Sequence, residues 1–358
     1  MSDTLDGIVA RHARLGDLTL HSGAVLPDVT LCYETYGRLN ATGDNVVLLT
    51  HGFTGSQHMA GRYAPGGAPP GVAEDAPGSW SLMIGPGRPI DPARFFIVAS
   101  NMLGGCYGST GPASINPATG TPWGPDFPAI TLKDIVGAQR RLLEGLGVRQ
   151  LAAVMGSSYG GFQAFTWATT YPDFVRSIVA CNTATHGSGR EEDVAATIAS
   201  LARDPNWNGG WYYGNGGIAP TLYEIRLATL RRYGMEEVLA PRFPDPAARA
   251  AEIRRLAEAW SRIFDGNTMV TLRRAMVRYD ARPEFHRIRA PVLYALTSTD
   301  VLFPPAIAPA AMQRLEAAGV AARHFEIRND RGHLGVNVDS PGWVETLAEV
   351  FDRAATAA

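Results

Sequence analysis

The residues best suited to chemistry in this chain begin with a serine in a glycine-rich turn. Ser158 lies in segment 156–160 (GSSYG), which fits the G-x-S-x-G pattern of a nucleophile elbow. An apolar run precedes the motif and a helical pattern follows it, as expected for a sharp strand-to-helix turn that exposes a serine hydroxyl. The motif therefore predicts that Ser158 is the nucleophile of an acyl-transfer or hydrolysis reaction. The alternative is an ordinary Gly-Ser turn.

A serine hydroxyl needs a base, and the base needs a group that orients it. In nucleophile-elbow enzymes the chain order is serine, then an acid, then histidine. His324 lies inside an apolar run that predicts a strand, whereas His333 follows that run in a loop, so His333 is the predicted base. Asp300 follows the preceding apolar run and is the predicted orienting acid, with Asp330 as the alternative.

The negative charge that develops on the substrate oxygen needs backbone N–H donors. One is expected from the residue after the nucleophile, Tyr159. The other is expected from the loop after an early strand, which here is segment 51–55 (HGFTG). The sequence therefore predicts an oxyanion hole formed by the N–H groups of Phe53 and Tyr159.

Short apolar runs alternate with helical patterns on both sides of these motifs. Continuous apolar runs of about 4–8 residues are typical of buried parallel strands, and the alternation predicts right-handed βαβ units. We therefore expect an α/β fold with a mostly parallel central sheet flanked by helices. The predicted strands are 45–50, 95–99, 151–155, 177–180, 291–296 and 324–327, and the predicted helices are 133–146, 160–171 and 304–318.

Segment 184–280 interrupts this alternation. It contains helical patterns but no clear strand, together with a loop rich in Gly, Trp and Tyr at 206–217. The sequence therefore predicts an α/β core formed by residues 1–183 and 281–358, with 184–280 as a helical lid over the site. The predicted lid helices are 191–202, 222–233, 247–264 and 268–279.

Composition narrows the functional classes. A formal net charge of −2 gives no reason to expect a nucleic-acid partner. The first twenty residues lack the apolar stretch of a secretory signal, and no run is long enough to span a membrane, so we expect a cytoplasmic protein without a membrane partner.

Cys32, Cys106 and Cys181 form no C-x-x-C pair and are expected to be buried apolar residues. No metal site or organic cofactor is predicted.

Four further segments carry a resemblance to a known family. They are 101–112 (NMLGGCYGSTGP), 123–128 (WGPDFP), 204–210 (DPNWNGG) and 264–267 (FDGN). With the motifs above, the chain resembles the homoserine O-acetyltransferases and their esterase relatives within the α/β-hydrolase superfamily. The resemblance implies a ping-pong reaction in which Ser158 takes an acetyl group from acetyl-CoA and the hydroxyl of homoserine then accepts it.

The resemblance also implies roles for residues outside the candidate triad. In the family an arginine of the insertion binds the amino-acid carboxylate, and Arg226 stands at the matching position. Tyr233, seven residues later, is expected to face the site as well. Both residues would otherwise lie on an ordinary face of an amphipathic helix. Pairing of the lid helices between two subunits implies a homodimer.

Two residues depart from the family pattern. Leu334 stands where the transferases usually carry an aspartate that helps to hold the substrate ammonium, and Tyr159 stands where they usually carry methionine. An ammonium in a closed pocket needs a partner, and each lost contact of about 1.4 kcal/mol lowers affinity about tenfold. Because Leu334 should weaken homoserine binding, the sequence favours an esterase for short-chain acyl esters such as acetates. The alternatives are homoserine O-acetyltransferase and acyl transfer to another hydroxyl. A catalytically silent binding protein is disfavoured by the complete triad.

Overall fold

The computed structural model describes residues 5–187 and 189–356. Within them eight strands form one sheet. Residues 1–4, which begin the segment predicted to lack a secretory signal, lie outside the described part. The strands are β1 Arg11–Thr19, β2 Val25–Tyr36, β3 Val46–Thr50, β4 Phe96–Ser100, β5 Leu151–Ser157, β6 Ile178–Cys181, β7 Val292–Thr297 and β8 Ala322–Ile327.

The sheet has the order β1-β2-β4-β3-β5-β6-β7-β8. The strands from β4 to β8 pair in parallel, and β1 and β2 add an antiparallel edge. β3 and β7 are buried at every position, which explains their uninterrupted apolar sequence. The prediction of a mostly parallel sheet is confirmed. β1 and β2 were not predicted, because most positions of β1 are exposed and polar residues interrupt the apolar residues of β2.

Helices cover both faces of the sheet. Alternate residues of β3 belong to different apolar clusters, so the clusters lie on opposite faces. Side chains of α1, α2 and α8 belong to one cluster and those of α9 to the other. In the described ranges the helices are α1 Leu132–Gly145, α2 Tyr159–Thr170, α3 Glu191–Leu201, α4 Ala219–Arg232, α5 Met235–Leu239, α6 Pro246–Ser261, α7 Gly266–Val277, α8 Ala308–Ala317 and α9 Trp343–Thr356.

Polar caps fix where several of these helices begin. The Thr131 hydroxyl accepts a hydrogen bond from the N–H of Asp134 at 3.3 Å, and the Asp134 carboxylate accepts one from the N–H of Thr131 at 2.7 Å. This reciprocal capping box sets the start of α1. Asp245 caps the start of α6 and Asp265 caps the start of α7, both in the segment 184–280 that was predicted to be helical.

Helices α3 to α7 follow β6 and precede β7, so they form an insertion between two adjacent strands. With Tyr107 they form a separate apolar cluster, which includes Leu201, Trp207 and Phe264. Helix α7 also contributes Leu272 and Met276 to the core that covers the sheet. α7 therefore joins the inserted helices, called the lid below, to the sheet.

A buried acid holds the Gly- and Pro-rich segment after β3 against the sheet. Glu34 of β2 is inaccessible to solvent and accepts hydrogen bonds from the hydroxyls of Tyr36 at 2.6 Å and Tyr63 at 2.7 Å. His58 Nδ1 lies 3.1 Å from the same carboxylate. These contacts satisfy the buried carboxylate and fix the loop that starts at the candidate oxyanion segment.

Residues 5–187 and 189–356 offer no candidate for a membrane span or a metal site. No helix there is both long and apolar enough to cross a membrane. No group of three or more His, Cys, Asp or Glu side chains in this part of the chain is arranged to hold a metal ion. Cys32, Cys106 and Cys181 are free thiols; Cys32 and Cys181 are buried and Cys106 is half-buried.

Candidate active site

Ser158 lies at the turn from β5 into α2 in a strained backbone conformation. Its φ of 59° and ψ of −123° are rare for a residue with a side chain and cost about 1–3 kcal/mol. Gly156 and Gly160 permit this turn, since a Cβ atom on them would lie 2.2 Å from Thr50 Oγ1 and 2.1 Å from Thr50 O. Close packing on β3 thus fixes the serine at the carboxyl edge of the sheet.

His333 and Asp300 form a buried pair at the same edge. His333 Nδ1 lies 2.8 Å from Asp300 Oδ2, and both side chains are almost inaccessible. Asp300 Oδ1 accepts hydrogen bonds from the N–H groups of Leu302 at 2.8 Å and Phe303 at 3.2 Å. The carboxylate therefore accepts a hydrogen bond from Nδ1–H, which keeps the proton on Nδ1 and leaves Nε2 as the proton acceptor. The alternative acid, Asp330, is instead exposed and pairs with the neighbouring Arg331.

Consecutive residues after β6 connect the serine and the histidine. Asn182 donates from Nδ2 to the carbonyl oxygen of His333 at 2.9 Å and to Thr297 Oγ1 at 3.0 Å. Thr183 donates from its hydroxyl to the carbonyl oxygen of Ser158 at 2.7 Å. Asn182 and Thr183, which are adjacent at the end of β6, thereby hold two candidate catalytic residues that are far apart in sequence.

Segment 51–55 borders the serine. A Cβ atom on Gly52 would lie 3.6 Å from Cβ of Ser158. His51 fixes the start of this segment, since its Nδ1 lies 2.8 Å from the carbonyl oxygen of Gly52 and its Nε2 accepts from the N–H of Met102 at 3.2 Å. Burial lowers the pKa of His51 to about 4, so the ring is neutral at neutral pH.

The two predicted oxyanion residues are neighbours. The rings of Phe53 and Tyr159 have centroids 5.9 Å apart. Tyr159 is buried, and its ring also packs against Phe162 of the core. This packing keeps the first turn of α2 close to segment 51–55, as an oxyanion hole built from both backbones requires.

Arg226 of α4 brings a positive charge to this region. Its Nη1 donates to Thr54 Oγ1 at 2.9 Å, and its guanidinium carbon lies 5.0 Å from the centroid of the Trp260 ring. Its Nε is buried without a hydrogen-bond partner, and no carboxylate of the described residues forms an ion pair with it. Burial lowers the pKa of Arg226. A half-buried cation without a counter-charge is costly, so this position suits an anionic ligand.

Tyr233 links the lid to the loop that carries the histidine. Its ring centroid lies 4.9 Å from that of His333, and its carbonyl oxygen accepts from the N–H of Leu334 at 3.3 Å. Gly234, with a φ of 86°, follows in close backbone contact, since a Cβ atom there would lie 2.6 Å from the carbonyl oxygen of Arg331. Tyr233 and the half-buried Leu334 therefore both lie beside His333.

Two residues of this region were not singled out from the sequence. Asn182 has no motif around it, although its position two residues after the predicted strand 177–180 is typical of site residues in parallel sheets. Arg273 lies in a predicted lid helix, and its guanidinium carbon is 5.3 Å from the centroid of the Phe53 ring. Nothing in the local sequence distinguishes it from Arg274 next to it.

Comparison with known proteins identifies the family. The model of the α/β-hydrolase fold family matches residues 45–336. A homoserine O-acetyltransferase of Symbiobacterium thermophilum is 38% identical, over 92% of each chain.

Two solved structures share the fold at lower identity. Esterase E22 is 26% identical with a TM-score of 0.84, over 96% of this chain and 100% of that one. The homoserine O-acetyltransferase of Bacillus anthracis is also 26% identical with a TM-score of 0.84, over 98% of this chain and 99% of that one. The chain thus belongs to the homoserine O-acetyltransferase family of α/β-hydrolase-fold enzymes, whose members act as acyltransferases or esterases.

Proposed function

We propose that the protein is a homoserine O-acyltransferase, with acetyl-CoA as acyl donor and L-homoserine as acceptor. The observation that carries the proposal is Arg226, a half-buried guanidinium without a carboxylate partner in the described chain, next to the segment that borders Ser158. A simple acetate ester gives such a cation nothing to bind, whereas the carboxylate of an amino acid pairs with it. The sequence favoured an esterase; the similarity to transferases over 92% of the chain shifts the preference.

In the first half-reaction Ser158 Oγ attacks the thioester carbonyl while His333 Nε2 takes the hydroxyl proton. The N–H groups of Phe53 and Tyr159 stabilise the oxyanion of the tetrahedral intermediate. The C–S bond then breaks, and the CoA thiolate leaves with the proton from His333. The product of this step is an acyl ester on Ser158. Asp300 keeps the histidine in the required tautomer and stabilises its charged form.

In the second half-reaction the homoserine hydroxyl attacks the acyl-serine carbonyl and gives its proton to His333. Collapse of the intermediate returns that proton to Ser158 Oγ and releases the O-acyl ester. Arg226 binds the acceptor carboxylate, and Tyr233 helps to position the acceptor beside His333. The positioning of the acceptor decides whether the acyl group passes to homoserine or to water, because the two compete for the same acyl-serine. Homoserine is held by these contacts, whereas water is not.

Hydrolysis is the second candidate function. Leu334 favours it, because an apolar side chain after His333 gives the homoserine ammonium no counter-charge. The similarity to esterase E22 agrees with a site of this type that passes the acyl group to water. In that case the reaction uses the same acyl-serine, and only the second nucleophile differs.

The role of Arg226 is tested by Arg226→Gln against Arg262→Gln, which removes an exposed lid charge paired with Glu258. We expect kcat/KM for homoserine to fall by about ten- to a hundredfold in Arg226→Gln, mainly through KM, because a charged hydrogen bond is lost. Hydrolysis of 4-nitrophenyl acetate, which has no carboxylate, should fall much less. Equal losses for both substrates would contradict the proposal, and Arg262→Gln should behave as wild type.

Pairing of two chains through the lid helices stays a prediction from the family. Sedimentation velocity at micromolar concentration tests it directly. A species with twice the chain mass supports the homodimer, and a species with the mass of one chain refutes it.

A further inference from the structure

Two buried glutamines connect the helices of the core to the candidate site. Gln139 of α1 and Gln163 of α2 are inaccessible to solvent, and they lie on helices whose other buried residues are mostly apolar. Burying an amide costs free energy unless its polar atoms are hydrogen-bonded. All four amide atoms of the pair have partners, and the bonds form one chain that runs from Trp167 to His51.

The chain of hydrogen bonds has three links. Trp167 Nε1 donates to Gln139 Oε1 at 2.8 Å, and Gln139 Nε2 donates to Gln163 Oε1 at 2.7 Å. Gln163 Nε2 donates to the carbonyl oxygen of His51 at 3.2 Å and lies 3.5 Å from the carbonyl oxygen of Tyr159. Gln163 therefore contacts the backbone of both segments that are predicted to supply the N–H groups of the oxyanion hole.

Chemistry at the two ends of the chain fixes the direction of every bond. The indole N–H of Trp167 can only donate, so the atom of Gln139 that faces it is Oε1. Nε2 of Gln139 then faces Gln163, whose Oε1 must accept. The carbonyl oxygen of His51 can only accept, which requires Nε2 of Gln163 at the other end. Neither amide can turn over without bringing two donors or two acceptors together.

His51 passes this orientation to the N–H of Phe53. The ring donates from Nδ1 to the carbonyl oxygen of Gly52 at 2.8 Å, because that oxygen can only accept. The peptide between Gly52 and Phe53 is trans, so its carbonyl oxygen and its N–H point in opposite directions. His51 is itself held at its carbonyl oxygen by Gln163 and at Nε2 by the N–H of Met102. These contacts fix the plane of the peptide that presents the Phe53 N–H.

We propose that Gln163 is a positioning residue that holds segment 51–55 against the first turn of α2, with its orientation set by Trp167 through Gln139. The inference rests on the acyl-serine chemistry of the proposed function, and it holds whether homoserine or water accepts the acyl group. Gln163 acts on the reaction through the backbone N–H groups of the oxyanion hole. Its effect is therefore expected where negative charge develops on the substrate oxygen, and not in proton transfer by His333.

The test uses hydrolysis of 4-nitrophenyl acetate, which acylates Ser158 without an acceptor. Gln163→Met removes the amide at similar side-chain length, and Gln139→Met removes the group that orients it. The control is Thr166→Val, which removes a buried hydroxyl of the same helix that donates to the carbonyl oxygen of Phe162 at 2.8 Å. Titration of the active serine with a fluorophosphonate gives the number of working sites, so that each rate refers to folded enzyme.

An analogue of the tetrahedral intermediate reports on the oxyanion hole itself. When 1,1,1-trifluoroacetone binds, Ser158 Oγ adds to the carbonyl carbon and gives its proton to His333, which leaves the negative charge on the former carbonyl oxygen. That oxygen occupies the place of the oxyanion in the reaction. The inhibition constant of this ketone is therefore measured for each variant beside kcat/KM.

In Gln163→Met we expect kcat/KM per working site to fall by about ten- to a hundredfold, since a displaced oxyanion donor loses much of its effect. The inhibition constant of the ketone should rise by a similar factor, and the pKa in the pH profile of kcat/KM should stay that of wild type. Gln139→Met should give a smaller loss of the same kind, because the amide of Gln163 stays in place without a fixed direction. Thr166→Val should behave as wild type.

A merely structural role of Gln163 would lower the number of working sites and leave the ketone affinity of the remaining ones unchanged. That result, or a kcat/KM per working site equal to that of wild type, would overturn the inference. If Gln163→Met yields too little folded protein, the same two measurements on Gln139→Met decide. Hydrolysis by Ser158→Ala at the wild-type rate would instead refute the acyl-serine chemistry, a failure that is distinct from that of Gln163.

Discussion

The side-chain amide of Asn182 donates a hydrogen bond of 2.9 Å to the carbonyl oxygen of His333, 151 residues further along the chain. Its carbonyl Oδ1 accepts from the N–H of Thr297 at 2.7 Å, so one short side chain joins the ends of β6 and β7 to the histidine loop. Asn182 has a φ of 40°, a left-handed conformation that asparagine tolerates better than most residues. The histidine is therefore positioned by a residue that takes no part in proton transfer.

Replacing Asn182 by Ala should impair catalysis through the position of His333. We expect kcat to fall by about tenfold or more for both transfer and hydrolysis, with KM little changed, since a small displacement of the base is costly. The free energy of unfolding should fall by about 1–3 kcal/mol. Asn206→Ala is the control, because it removes a similar amide-to-carbonyl bond inside the lid. Unchanged kcat in Asn182→Ala would show that the loop holds its position without this contact.

Leu334→Asp should raise homoserine acetylation relative to hydrolysis of the acyl-enzyme. A carboxylate beside His333 offers the homoserine ammonium a counter-charge, and one such contact changes affinity by about tenfold. The measurement is the ratio of O-acetylhomoserine to acetate formed from acetyl-CoA. Leu334→Asn, of the same shape without the charge, should raise the ratio much less. An unaltered ratio in Leu334→Asp would mean that this side chain does not face the acceptor.

The buried His51 should make stability depend on pH. Burial lowers the pKa of His51 in the folded chain to about 4. In the unfolded chain His51 therefore takes up a proton below its ordinary pKa of 6.5, whereas in the folded chain it stays neutral until the pH approaches 4. The contribution of His51 to the free energy of unfolding is fully present above pH 6.5. It is lost as the pH falls toward 4, by about 3 kcal/mol in total. Denaturant unfolding of wild type and His51→Gln between these pH values measures the difference. Parallel pH dependences would contradict the assignment.

Much of the fold follows from the sequence for identifiable reasons. Strands β3 to β7 are buried at nearly every position and read as short apolar runs, and α1 has a clear helical periodicity. β1 carries polar and exposed residues over most of its length, and its pairing with β2 is irregular near Gly16. Such a strand is specified by tertiary contacts more than by local pattern, so it was not predicted.

The candidate site likewise contains some residues that the sequence predicts and others that it does not. Ser158, Asp300 and His333 were proposed from a motif and from chain order, and the structure brings them to one edge of the sheet. Arg273 could not be singled out in this manner, because its place beside Phe53 depends on how α7 packs against segment 51–55. Sequence spacing reports which residues are present in an element, but not which charges remain unpaired after packing.

The most direct test of the account is a paired assay on the purified protein, with Ser158→Ala as the blank. One reaction contains acetyl-CoA with L-homoserine and the other acetyl-CoA alone, and free thiol and O-acetylhomoserine are followed over time. The account predicts thiol release that depends on homoserine and on Ser158, with one O-acetylhomoserine formed for each thiol. Thiol release that depends on Ser158 but not on homoserine, with no O-acetylhomoserine formed, would contradict the transferase proposal and establish a hydrolase.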